Sequence, residues 1–128
     1  MMTAARADRV TIDAMLILAS DDGAPLDHRL ERVEYKLRRI FGFEYYRYMG
    51  EASAIIHLPG RARLDLGHGY SLNIEVSESD GKVRALVRWM RGDEELLATS
   101  VRMKKKTPAI LGGPEHGNGT LIVTLTVR

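Results

Sequence analysis

The 128 residues contain no cysteine. Disulfides, thiolate nucleophiles and zinc–thiolate centres are excluded with it. No apolar run approaches the roughly 20 residues of a membrane span, and no signal-peptide apolar core stands near the start, so membrane insertion is not expected. Neither sign of charge dominates. Nineteen Lys and Arg stand against 17 Asp and Glu, a formal net charge of +2, and the arginines are dispersed, so a strong electrostatic footprint for nucleic acid is missing. No serine lies in a Gly-x-Ser-x-Gly elbow, and no glycine run ends in Gly-Lys-Ser/Thr. His28, His57, His68 and His116 share no ligand spacing, and Asp65-x-x-His68 falls in a turn, so neither a metal nor a cofactor is expected. His57 reads instead as a satisfied core histidine.

What is present is a strand pattern centred on Tyr70–Met103. Tyr70, Leu72, Ile74 and Val76 alternate with polar residues, the period of a strand with one buried face. Asp80-Gly81 suits a two-residue type I′ turn, which sets Val76 against Ala85, Ile74 against Val87 and Leu72 against Trp89. A one-residue slip would put apolar against polar throughout. Gly92-Asp93 suits type II′ and would set Trp89 against Leu96 and Val87 against Ala98. The inner face is then core. The outer face would carry Leu86, Met90, Leu97 and Val101 beside Arg84, Arg88 and Thr99, too apolar a set for open solvent. Either a helix of this chain covers it or another molecule does.

Along the rest of the chain, residues Met1–Arg9 read as a flexible lead-in and 10–128 as a single globular domain. Val10–Ala19 reads as a strand apolar on one whole face and on half of the other, as in a central strand. Ser20–Pro25 is a loop. Leu26–Phe41 reads as an amphipathic helix with the stripe Leu30, Val33, Leu37 and Ile40, Asp27 as its N-cap and Gly42 at its C-terminal end. Phe43–Met49 and Ala52–Leu58 read as two strands interrupted by Gly50-Glu51. Arg61–Leu66 returns from Pro59-Gly60 as a hairpin, with a bulged three-residue loop pairing Ile56 with Leu64. Ala109–Leu111 is a short apolar piece, Gly112–Gly119 a glycine-rich mobile loop, and Thr120–Arg128 a last strand. The sum is an α+β, mainly β domain. It is an antiparallel sheet or sandwich of about eight strands, with one helix between the first two.

These residues point to binding or assembly rather than catalysis. Asp13 is the one carboxylate placed to be partly enclosed, and it reads as a hydrogen-bonded strand residue. The leading candidate surface is Arg84, Leu86, Arg88, Met90, Leu97 and Val101, for a protein partner or self-association, because Met and Arg are enriched in interface cores. The alternative is a single-stranded nucleic-acid surface of Tyr45, Tyr46, Arg47 and Tyr48 with Arg61 and Arg63. The modest net charge weighs against it. An enzyme built from residues far apart in sequence is the third reading. Ala5-Arg6-Ala7 has the small-x-small form of a signal cleavage site, which with the absent cysteines leans towards a bacterial, exported protein of the periplasm or cell envelope.

Overall fold

The computed structural model describes residues 9–21, 28–43, 45–117 and 119–128. The expected lead-in up to Ala7 and Asp8, most of the loop after Ser20, the Asp27 cap and Asn118 lie outside them. Eight strands form: β1 (Arg9–Ser20), β2 (Tyr45–His57), β3 (Gly60–Gly67), β4 (Tyr70–Ser79), β5 (Lys82–Arg91), β6 (Glu94–Met103), β7 (Ala109–His116) and β8 (Gly119–Val127). They make two antiparallel four-stranded sheets, ordered β2-β1-β8-β7 and β3-β4-β5-β6. A 3-10 turn (His28–Leu30) and an α-helix, α1 (Glu34–Phe41), lie between β1 and β2.

The alternating apolar residues of both sheets meet in one core. Val10, Ile12, Ala14 and Leu16 of β1 and Leu121, Val123, Leu125 and Val127 of β8 face Leu72, Ile74, Val87 and Trp89 of the other sheet's central strands. Each fully buried aliphatic side chain contributes about 1.5–3 kcal/mol. The β4–β5 register is the one the Asp-Gly turn demands, with Val76 opposite Ala85, Ile74 opposite Val87 and Leu72 opposite Trp89. Asp80 and Gly81 both take positive φ, as type I′ requires.

The β5–β6 register differs from the expected one. Trp89 pairs with Leu97 while Met90 pairs with Glu95, so Leu96 is the extra residue of a β-bulge. A regular strand cannot turn two consecutive residues inward. The bulge allows it, and both Leu96 and Leu97 pack against the core. Beyond it Leu97 and Val101 therefore point in, not out.

Three further expectations are corrected. Phe43–Met49 and Ala52–Leu58 are one strand, β2, which bulges at Met49 where Leu16 pairs with Gly50 and Ile17 with Tyr48. Gly50 stays in the ladder because a Cβ there would lie 2.0 Å from the Leu66 carbonyl oxygen of β3, so only glycine lets the strands come this close. No ladder joins β2 to β3: Ile56 pairs with Val10 and Leu64 with Leu72, and the chain changes sheets at Pro59-Gly60. Proline lacks the donor that a hydrogen-bonded hairpin would use. Finally, the glycine-rich segment is a strand, β7. A Cβ on Gly113 would lie 2.3 Å from the Trp89 ring, so this glycine admits the core's largest side chain instead of loosening the chain.

The helix is shorter than its periodicity suggests. Leu30, Val33 and Leu37 are buried as expected, but Ile40 is 59% exposed and Phe41 packs in its place. Gly42, at φ 71°, ends α1 by donating to the Arg38 carbonyl, and Glu34–Arg38 pair at 3.7 Å. This segment lies over Ile17, Ala19, Tyr46 and Ile122, on the outside of the β2-β1-β8-β7 sheet. It does not cover the outer face of β4–β6.

Candidate functional site

The outward face of β1 changes character midway, and that change makes the site. Ile17 and Ala19 belong to the cluster beneath the helical segment. One pleat away, Glu51, Met15 and Thr124 stand in a row across β2, β1 and β8, and in the next row stand Ser53, Asp13 and Thr126. The helical segment reaches Met15 but does not cover the rest of these rows. An open groove of about 930 Å³ results, floored by the two rows, walled by His28, Arg29, Glu31 and Arg32, and lined also by Lys106, Pro108 and Arg128.

Its wall is pinned from below. The Arg29 guanidinium lies 3.5 Å from the centre of the Tyr48 ring, a contact worth about 0.5–2 kcal/mol. The Tyr48 hydroxyl donates to Glu51 Oε1 at 2.9 Å. Burial, together with that carboxylate, raises the tyrosine's pKa, so it stays a donor. Beside it the Tyr46 hydroxyl donates to the Leu37 carbonyl at 3.1 Å, tying α1 to β2.

Asp13 is fully engaged. Arg128 Nε donates to Oδ2 at 2.6 Å and its NH2 group to Oδ1 at 3.3 Å, while the Ser53 hydroxyl also donates to Oδ1. The hydrogen-bonded guanidinium, opposed by partial burial and aided by Ser53, holds the carboxyl below its ordinary pKa. A depressed folded-state pKa contributes stability above the unfolded value of about 3.9, lost as pH falls through the folded value. Asp13→Asn is therefore expected to lower stability by about 1 kcal/mol at neutral pH. The gap from wild type should narrow below about pH 4. Urea midpoints measured across that range check it, and a gap that persists undiminished in acid contradicts the assignment.

The residues singled out in the sequence are only partly brought together. Arg84, Leu86, Arg88 and Met90 share the outer face of β5, where Arg88 Nε bonds Glu95 at 2.7 Å and Arg84 Nε bonds Ser100 at 3.3 Å. Leu86 is 43% exposed there. Leu97 and Val101, expected beside them, lie on the core side. The tyrosine strand divides likewise: Tyr46 is buried and Tyr48 half-buried under the helical segment, whereas Arg47 pairs with Leu18 on the opposite side. Arg61 and Arg63 lie exposed on β3, Arg61 with Glu75 at 3.7 Å. His57 is exposed rather than core, because Ile56 takes the inward position. Among the described residues no group of three or more acidic or histidine side chains is placed to hold a metal. The groove itself escapes sequence reasoning. Its only signals were Asp13 on an otherwise apolar strand and the polar–apolar switch along β1.

Compared with protein-family models, curated proteins and solved structures, the chain matches none.

Proposed function

We propose that this protein is a non-enzymatic binding domain that seats a small anionic ligand in the groove between the helical segment and the β2-β1-β8 face. The observation that carries the reading is the state of the groove's charges. Four cations, Arg29, Arg32, Lys106 and Arg128, line the groove against three carboxylates. Each carboxylate already has a hydrogen-bond partner: Asp13 has Arg128 and Ser53, Glu31 has the His28 ring, and Glu51 has the neutral Tyr48 hydroxyl. Arg32 and Lys106 line the same groove with no acidic partner among the described residues. An incoming anion meets two cations that no carboxylate binds, above a floor in which the Thr124 and Thr126 hydroxyls can hydrogen-bond it while the Ser53 proton stays on Asp13. The same pairing speaks against catalysis. A carboxylate held ionised by a guanidinium is a poor proton acceptor, and that weakened base is the group to which the Ser53 hydroxyl donates.

Amide-resolved NMR titration with inorganic phosphate, a dicarboxylate and a nucleoside monophosphate tests this. Shifts are expected at Thr124, Thr126, Arg128 and the 31–33 segment, weakened about ten-fold in Arg32→Glu/Lys106→Glu. Absence of shifts at millimolar anion, or shifts unchanged in that variant, would end the reading. A single-stranded oligonucleotide that instead shifts Arg61 and Arg63 would favour the nucleic-acid alternative.

A further inference from the structure

The two sheets meet unequally. Where β2 passes β3, the Leu66 carbonyl sits against Gly50, with no room for a side chain between the strands. On the other side β6 and β7 are the edge strands of their own sheets, and no ladder joins them. β6 is ten residues long and, among the described residues, hydrogen-bonded to β5 on one side only. Its core-side residues Leu97, Thr99 and Val101 are only half-buried, unlike their neighbours Val87 and Ala85 on β5. β7 carries Gly112, Gly113 and Pro114 and a register break between Gly112 and Glu115, which blunts it as an edge. β6 has no such interruption beyond Leu97, so its open edge is the better template for another strand.

The charge order along β6 says which strand. It begins with Glu94 and Glu95 and ends with Arg102, followed by Lys104 and Lys105, all exposed. Turned end for end, that order is its own complement. Antiparallel pairing of two copies about Thr99 places Leu97 of each opposite Val101 of the other, on the core side. It brings the acidic end of each alongside the basic end of its neighbour. A one-residue slip would break the match of faces. We infer that β6 is a self-association edge: two copies of this chain join β6 to β6 about a two-fold axis, fusing their β3-β4-β5-β6 sheets into one eight-stranded sheet. The outer faces of the two β5 strands, with Arg84, Leu86, Arg88 and Met90, then lie on the same side of the extended sheet, separated by the paired β6 strands. The inference does not depend on the groove, which lies on the other sheet.

Sedimentation of the whole chain across a wide concentration range tests it. Wild type is expected to pass from monomer to dimer as concentration rises. Glu94→Lys/Glu95→Lys makes both ends of β6 basic, and Arg102→Glu/Lys104→Glu makes both acidic. Each variant alone is expected to dimerise at least about ten-fold more weakly. Mixed in equal amounts, the two should form a heterodimer, which misfolded variants would not. A wild type monomeric at every concentration, charge variants that dimerise like wild type, or a mixture that stays monomeric would each overturn the proposal.

Discussion

Gly50→Ala is expected to destabilise the fold by about 3 kcal/mol, at the upper end of overpacking costs. The Cβ it adds would sit 2.0 Å from the Leu66 carbonyl oxygen and 3.1 Å from its carbon. Both are backbone atoms of a strand held by its own ladder to β4, so neither can swing away as a side-chain tip would. The obstruction falls where β2 and β3 bring the two sheets together, and relief requires parting them. Gly112→Ala is the control: its Cβ would meet only the edge of the half-buried Phe41 ring, at 3.0 Å, which can tilt. Urea unfolding followed by the fluorescence of Trp89 measures both. Equal, small losses at the two positions would show that β2 and β3 are not locked together.

Leu37→Ala is expected to cost about 3 kcal/mol, within the range for a fully buried leucine. Leu37 is fully buried among Ile17, Leu30, Val33, Tyr46 and Ile122, and its own carbonyl accepts the Tyr46 hydroxyl. The helical segment holds the sheet through few such side chains, since Ile40 and Tyr35 are each 59% exposed. Tyr46→Phe removes only the hydrogen bond and should cost about 1 kcal/mol. The loss at Leu37 also reaches the groove, because Arg29 and Arg32 are carried on the same segment as Leu30 and Val33. Faster amide exchange over residues 28–41, with the β4–β5 ladder still protected, is the expected signature. Uniformly faster exchange would mean that the segment and the sheets unfold as one unit.

What could be read from the chain follows the range of the interactions involved. The β4–β5 hairpin was legible to the residue because a two-residue turn and a period-2 pattern are local and agree with each other. The β5–β6 register was not, because the second turn leaves room for the bulge, and what selects it is whether Leu96 and Leu97 can both reach a core built by distant strands. The expected total of eight strands holds, yet two differences offset each other in it: β2 runs unbroken through Gly50, and β7 is a strand where the glycines suggest a loop. Both come from reading glycine as punctuation. In each case the glycine is required by what lies across from it, the Leu66 backbone or the Trp89 ring, and neither neighbour is visible along the chain.

The groove shows the same division. Sequence alone establishes that β1 has one apolar face, that its other face turns polar towards Asp13, and that one amphipathic segment follows it. Those are properties of side-chain spacing within a single element. Tertiary structure alone decides that the segment lies over the apolar half of that same face and stops at Met15, that Arg128 comes from the far end of the chain to hold Asp13, and that β6 is left at an edge. Asp13 and Arg128 are 115 residues apart, and their meeting depends on β8 pairing beside β1. Local periodicity specifies which face of an element is apolar. What that face is set against depends on long-range strand order, which no local pattern encodes.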